Sequence, residues 1–182
     1  MGARDGKGYR ESLAANQPTV YLNGRLVDDI MTEPIFAGPI NSIAEQYDLQ
    51  LDPRYRDVMT WVDPEDGQRY SSSFLVPRTK EQLVQRRQHF KLRADHNFGF
   101  MGRAPDFMNA IVTDFFLLRD LFAKADQRYA DNMAAYYQKV REEDLFLTHM
   151  LVNPQVDRSK QSANQEDPFT HLGRVRTTDE GI

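Results

Sequence analysis

The sequence predicts a mainly α-helical chain with a small β-hairpin near its N-terminus, and three observations carry that expectation. Helical signals fill residues 80–152: Thr79 with Gln82 three residues on is a capping-box pattern, and apolar residues then recur at three- and four-residue spacings. Asn23-Gly24 stands between the short apolar runs Val20–Leu22 and Leu26–Val27, and that dipeptide suits a type I′ turn, which needs positive φ at both central positions. Helix-resisting residues collect between the periodic runs, at Asp52-Pro53, from Gly99 to Pro105, and at Asn153-Pro154.

In chain order, residues 1–17 are polar and glycine-containing, and are expected to form a mobile N-terminal segment. The hairpin strands fall at 19–22 and 25–28. PIFAGPINSIAEQYDLQLDP, residues 34–53, reads as a broken helix whose main part Asn41 caps, with Ile43, Ala44 and Tyr47 as its apolar stripe. Residues 54–78 are mixed, with turn chemistry in DPEDG at 63–67 and an extended look to YSSSFLV before Pro77. A helix from about 80 to 98 follows, with Leu83, Phe90 and Ala94 on one face, and Gly99 ends it. The next runs from about Asp106 to Lys124, with Phe107, Ala110, Ile111 and Phe115 on one side. A third runs from about Asp126 to Val152, carrying Tyr129, Met133, Tyr136, Val140 and Leu147, and Asn153-Pro154 stops it. The last stretch, THLGRVRTTDEGI, alternates as a strand and then turns, and a strand with no partner left in the chain implies a truncated sequence or a β domain begun and not completed. The expected organisation is a mobile segment over 1–17, an α-helical domain over 18–154, and the start of an incomplete β domain over 155–182.

Composition excludes several functions. With 182 residues, 40% hydrophobic and 27% charged, the chain is that of a globular protein. A net charge of −4 gives no electrostatic reason to expect nucleic acid or an anionic membrane surface. No apolar run approaches the roughly 20 residues needed to span a bilayer, and MGARDGKGYR lacks the apolar core of a signal peptide. The absence of cysteine removes disulfides, thiolate catalysis and cysteine-ligated clusters, and accords with a cytoplasmic location. His89, His96 and His171 show no metal-ligand spacing, and the carboxylates of REED at 141–144 read as a solvated helical face.

Three features remain that can carry chemistry. The first is the loop GFMGRAPDF, residues 99–107, in which the glycines and Pro105 interrupt the helical run around Arg103. A guanidinium beside a helix N-terminus, where backbone N–H groups already favour an anion, suits a phenolate, carboxylate or peroxide. The second is His149, in LTHMLVNPQVDR, expected near the end of the third helix. The third is the stretch from Gln155 to Arg158 that follows. Taken singly, Arg103 also reads as a helix-end ion pair, His149 as a histidine at a helix C-terminus, Phe107 as packing, and the tyrosines at 129, 136 and 137 as core or interface.

The pattern GR-x-PD-[FY] over 102–107, followed by H-x-x-x-NP-x-x-x-R over 149–158, resembles the oxygenase component of two-component flavin monooxygenases, the family typified by 4-hydroxyphenylacetate 3-monooxygenase. YLNGRLVDD, IAEQYDL and the closing DEGI fit the family's N-terminal region in order, so the resemblance covers nearly the whole chain, while the family's members are much longer. It implies an acyl-CoA-dehydrogenase-like fold, with an N-terminal helical domain, a middle β domain and a C-terminal helical bundle that forms a homotetramer. It implies reduced FAD (FADH2, with FMN not excluded) supplied by a separate flavin reductase, and O2 as co-substrate. The reaction implied is hydroxylation of a phenolic small molecule ortho to its oxygen.

Carried over residue by residue, the resemblance makes Arg103 and His149 the catalytic pair that holds the phenolic oxygen, with Phe107 in the substrate-binding set. It places His149, Met150, Leu151, Gln155, Val156, Asp157 and Arg158 against the flavin. Phenol hydroxylases of the family often have tyrosine where this chain has Phe107, which removes one hydroxyl from the substrate set. The lack of cysteine separates the chain from the related 4-hydroxybutyryl-CoA dehydratase branch, whose cysteines hold an iron–sulfur cluster. A second reading, from another class, is a non-catalytic helical module or assembly domain of the same ancestry.

Overall fold

The computed structural model describes residues 2–100, 106–149, 157, 159–161 and 164. The chain divides into two compact units, Met1–Thr148 and His149–Ile182. In the second unit, Asp157 accepts hydrogen bonds from the Ser159 backbone N–H (3.0 Å) and hydroxyl (2.7 Å), and Lys160 lies 3.4 Å from the same carboxylate. The strand expected within residues 170–176 lies outside the described residues.

The first unit is mainly helical, with two small antiparallel strand pairs. Helix α1 spans Gly6–Ala15, where the sequence suggested a mobile segment. Asp5 caps it by accepting from the Gly8 N–H at 2.7 Å. The segment before it is tied down as well: Gly2 N–H reaches Glu142 O at 2.9 Å, and Ala3 N–H reaches Arg69 O at 2.8 Å. Gly6 is buried against α2 (Pro34–Leu51), where a Cβ would fall 2.5 Å from the Ala44 carbonyl oxygen. Local composition could not show these partners, which lie more than 35 residues away along the chain.

The hairpin forms as expected but shorter, with β1 (Tyr21–Leu22) paired to β2 (Arg25–Leu26) and Asn23 and Gly24 at φ +52° and +79°. Helix α2 corrects the expected broken helix. It runs unbroken through Pro39 and opens with Pro34 in its first turn, where the missing N–H costs nothing. Asn41 therefore caps nothing; its amide oxygen accepts from Arg10 on α1 at 2.8 Å. After it come α3 (Arg56–Met59) and a second hairpin, β3 (Thr60–Val62) with β4 (Arg69–Ser71), around the predicted turn at 63–67. Only Tyr70 and Ser71 of YSSSFLV are strand, because Ser72–Phe74 winds into a 3₁₀ turn. Phe74 is fully buried there, and with Val112, Tyr137 and Val140 it forms the core.

Helix α4 (Lys80–His96) carries the predicted capping box at Thr79 and Gln82. Its inward face, however, is Arg86, His89 and Arg93, whereas Leu83 is 57% exposed and Ala94 lies in solvent. The apolar-face expectation fails because the surface that α4 meets is polar. Gln85 on this helix donates to the Thr60 carbonyl at 3.1 Å, and Arg93 reaches Gln46 on α2 at 3.3 Å. Two left-handed residues, Phe98 and Gly99 at φ +56° and +73°, end the helix, with Gly99 N–H bonded to Ala94 O at 2.8 Å.

The second predicted helix is two: α5 (Asp106–Leu117) and α6 (Arg119–Ala123), which break at Leu118. On α5 the buried residues are Asn109, Val112 and Thr113, while Phe107 and Phe115 face solvent. Helix α7 (Gln127–Glu142) buries Ala130, Tyr137 and Val140, leaving Tyr129 and Tyr136 exposed. It stops ten residues before the predicted end at Val152. The cause is Asp144, in the left-handed region at φ +48° with its side chain buried. Its carboxylate accepts from Gln50 Nε2 (2.6 Å) and Arg4 N–H (3.2 Å), which draws the chain off the helix axis.

Candidate active site

The glycine–arginine loop begins where α4 ends. Phe98 in the left-handed region carries a backbone cost of about 1–2 kcal/mol for a residue with a bulky side chain. Phe98 and Phe100 are almost fully exposed, so this strained exit is not recovered by burying either ring within the first unit. Arg103 lies outside the described residues, and α5 begins three positions after it.

Phe107 sits in the first turn of α5, with 42% of its surface exposed. One turn on, Ile111 lines an apolar groove of about 310 Å³ between α5 and α7, with Met108, Val112, Phe115, Met133 and Tyr136. Behind this face α5 is bolted to the core. Asn109 donates to Ser73 Oγ at 2.9 Å, Thr113 Oγ donates to Asn109 O at 2.7 Å, and the Tyr137 hydroxyl donates to Phe74 O at 2.6 Å. Among the described residues, the Asn109 amide oxygen is buried with no hydrogen-bond partner. An unmet buried acceptor costs about 1–3 kcal/mol, so it marks this turn as a place with unused polar capacity.

His149 is exposed, and it lies beyond α7 instead of on its last turn, which corrects the expected helix-end placement. It opens the second unit, as Phe107 belongs to the first. Asp157 is held below the usual carboxylate range, chiefly by the hydrogen bond from the Ser159 hydroxyl, then by the Ser159 backbone N–H and Lys160. Met150, Leu151, Gln155, Val156 and Arg158 lie outside the described residues.

The sequence reading missed two polar assemblies. The first is the knot around Asp144. Its carboxyl is raised by burial, opposed by the Gln50 hydrogen bond and by the Arg93 and Arg4 charges. The Tyr47 hydroxyl donates to the Asp144 carbonyl at 2.7 Å and accepts from Arg4 Nη2 at 3.1 Å, and its pKa is pushed well up by burial. The second is Asp63 with Arg141, paired at 2.7 Å and largely buried, with the Arg141 guanidinium stacked on Tyr70 at 4.3 Å. The burial of Asp144 corrects the solvated-face expectation for REED. Only the neighbours that α2 and the N-terminal segment bring to it reveal otherwise. Among the described residues no cluster of His, Asp or Glu could hold a metal ion, and no helix is long and apolar enough to cross a membrane.

A helical layer in which α4 ends in a strained exit at Phe98 and an aromatic-bearing helix begins at Asp106 is the class of structure this region defines. The chain belongs to the 4-hydroxyphenylacetate 3-hydroxylase N-terminal family, whose pattern matches residues 5–182. It is 43% identical over 180 residues to the 4-hydroxyphenylacetate 3-monooxygenase oxygenase component of Thermus thermophilus, covering 99% of this chain and 36% of that protein. It is 36% identical to the oxygenase component of 4-nitrophenol 4-monooxygenase/4-nitrocatechol 2-monooxygenase of Rhodococcus opacus, covering 98% of this chain and 35% of that one. Among solved structures, the oxygenase component of 4-hydroxyphenylacetate 3-monooxygenase complexed with FAD and 4-hydroxyphenylacetate matches with a TM-score of 0.84 at 43% identity, over 99% of this chain and 37% of the other. The fold is thus the acyl-CoA-dehydrogenase-like one expected from the motifs. The chain spans about a third of the length of the curated relatives it matches.

Proposed function

We propose that this chain serves as the N-terminal part of the oxygenase subunit of a two-component flavin monooxygenase, acting on a 4-hydroxyphenylacetate-like phenol. The supporting observation is the likeness over 99% of the chain to an oxygenase component solved with FAD and 4-hydroxyphenylacetate together. On this reading Arg103 and His149 hold the phenolic oxygen. A fixed guanidinium stabilises negative charge there, and the imidazole accepts or returns the phenol proton at a ring nitrogen. As the proton leaves, the ring becomes more electron-rich at its ortho carbon, which is the position to be oxygenated. Phe107 packs against the ring and supplies no hydroxyl.

The donor set in this chain fits a flavin. His149 is exposed, and the Gln155 amide and Arg158 guanidinium match the hydrogen-bonding edge and the phosphates of such a group. Met150, Leu151 and Val156 offer apolar contact and Asp157 a carboxylate that its own turn holds ionised. Reduced FAD, when bound, supplies the activation of O2. A separate flavin reductase provides it in that state, and the complete oxygenase is a homotetramer in the cytoplasm.

The test is turnover by the complete oxygenase, supplied with a flavin reductase, NADH, FAD and 4-hydroxyphenylacetate, with formation of the 3,4-dihydroxy product followed by chromatography. Arg103→Ala is expected to lower kcat/KM at least a hundredfold. Product formation at the unsubstituted rate would overturn the site assignment, and no product from the unsubstituted enzyme with any simple phenol would favour the non-catalytic module.

A further inference from the structure

Rings and guanidinium groups stack into a ladder along one wall of the helical unit. The Arg119 guanidinium lies 4.4 Å from the centre of the Phe116 ring, and that ring stacks on Tyr137 at 4.3 Å with 12° between the planes. Arg141 lies 5.7 Å over Tyr137 and 4.3 Å over Tyr70, whose ring meets Trp61 at 6.0 Å. The ladder draws on β3, β4, α5, α6 and α7, all in the first unit. Beside it opens a cleft of about 550 Å³, lined by every member of the ladder except Tyr70 and also by Arg78, which precedes α4. Small-molecule sites have volumes of about 300–1,000 Å³.

The charges in this cleft are unevenly met. Arg141 is paired with Asp63 at 2.7 Å. Arg119 donates from Nη1 to the Phe116 carbonyl at 2.9 Å, and its ion pair with Asp120 is 4.0 Å long to a side chain 92% exposed. Its Nε and Nη2 edge meets no hydrogen-bond acceptor among the described residues. The Arg78 backbone N–H donates to Gln82 Oε1 at 2.6 Å, but its guanidinium makes no hydrogen bond or ion pair among the described residues. Glu65 lines the cleft and pairs with neither arginine. The chain carries 27 Asp and Glu against 23 Lys and Arg, so carboxylates are in surplus, yet none is set firmly against these two cations. Stacking on Phe116 holds Arg119 in place, so part of the cost of ordering its fork is met before an anion arrives. The wall around it is apolar, with Trp61, Leu75, Val76 and Phe116. We propose that this cleft binds a small aromatic carboxylate, whose two oxygens lie across the open edge of Arg119 within reach of Arg78 while its ring packs on Trp61 and Phe116. A phosphate would meet the same cations but make no use of the ring wall. The proposal rests on neither Arg103 nor His149.

The test is titration calorimetry of the complete oxygenase with phenylacetate as the probe, in an Arg103→Ala background that weakens the proposed phenol site. Binding is expected to persist there and to weaken about tenfold when Arg119→Ala is added. Arg119→Lys keeps the charge but loses the fork, and should still weaken binding about threefold. Arg78→Ala removes a guanidinium that makes no bond among the described residues, so it tests the cleft even if Arg119→Ala does not fold; a loss of about threefold is expected. Inorganic phosphate and benzyl alcohol each carry half of the recognised chemistry, and each should bind about tenfold more weakly than phenylacetate. In crystals soaked with 4-bromophenylacetate, the anomalous peak of bromine is expected beside Trp61 and Phe116. Equal affinity with and without the two arginines, a bromine elsewhere, or no binding at all overturns the proposal. A bromine in the cleft with no heat in solution is binding at crystal concentration only, and overturns it too. Phosphate binding as tightly as phenylacetate overturns the assignment of an aromatic ligand.

Discussion

Asp144 has a pH signature that follows from its enclosure. Burial raises its carboxyl above the ordinary value of 3.8, so the folded state keeps its proton at pH values where the unfolded state has lost it. Through that window the folded state binds more protons, and stability falls as pH rises; it is greatest below 3.8 and level again above the folded value. Asparagine at this position does not titrate. The stability of Asp144→Asn relative to the unsubstituted protein should therefore increase as pH is raised from 3.5 to the neutral range, measured by urea unfolding at fixed ionic strength. A difference independent of pH would show that Asp144 titrates alike in both states. Nothing within REED at 141–144 separates this aspartate from its solvated neighbours. The decisive facts are Arg4, Tyr47 and Gln50, between 94 and 140 residues away.

Elements with short-range causes were legible. The capping box at Thr79, the turn at Asn23-Gly24 and the exit at Gly99 stand where local chemistry puts them. Thr79→Ala is expected to cost about 1 kcal/mol by the loss of one N-terminal cap, seen as a fall of a few degrees in melting temperature with no change in the phenol KM. A larger loss would mean that the cap does more than close α4. Elements with long-range causes were not legible. Helix α1 needs the carbonyl of Ala44 and the carboxylate of Asp48, which accepts from Gly6 N–H at 2.9 Å, before it has a surface to lie on. The end of α7 needs the knot. The break at Leu118 leaves no trace among good helix formers, and the Arg119 guanidinium stacked on Phe116 at 4.4 Å is the local contact that accompanies it.

At the scale of the whole molecule, periodicity found the helices, and on α2 it found the buried stripe at Ala44 and Tyr47, but on α4 and α5 it chose the wrong faces. On α4 the buried side is Arg86, His89 and Arg93; on α5 the aromatic side, with Phe107 and Phe115, looks outward. Periodicity reports that a helix has two faces and leaves open which one meets its neighbour. On these two helices polar residues are buried while apolar ones face outward, and exposed apolar faces mark interaction surfaces; the chain spans about a third of the relatives it matches. The motif order from YLNGRLVDD to DEGI identified the family where periodicity could not, because it records particular residues in order, whereas apolar spacing answers to packing alone. Phe107 emerged on the helix the motif implied, and His149 emerged off it. The measurement that tests the central claim most directly is equilibrium binding of 4-hydroxyphenylacetate to the complete oxygenase with FAD held reduced under anaerobic conditions, for the unsubstituted protein and for Arg103→Ala. The account predicts saturable binding that the substitution weakens at least tenfold; equal affinity in the two proteins would contradict it.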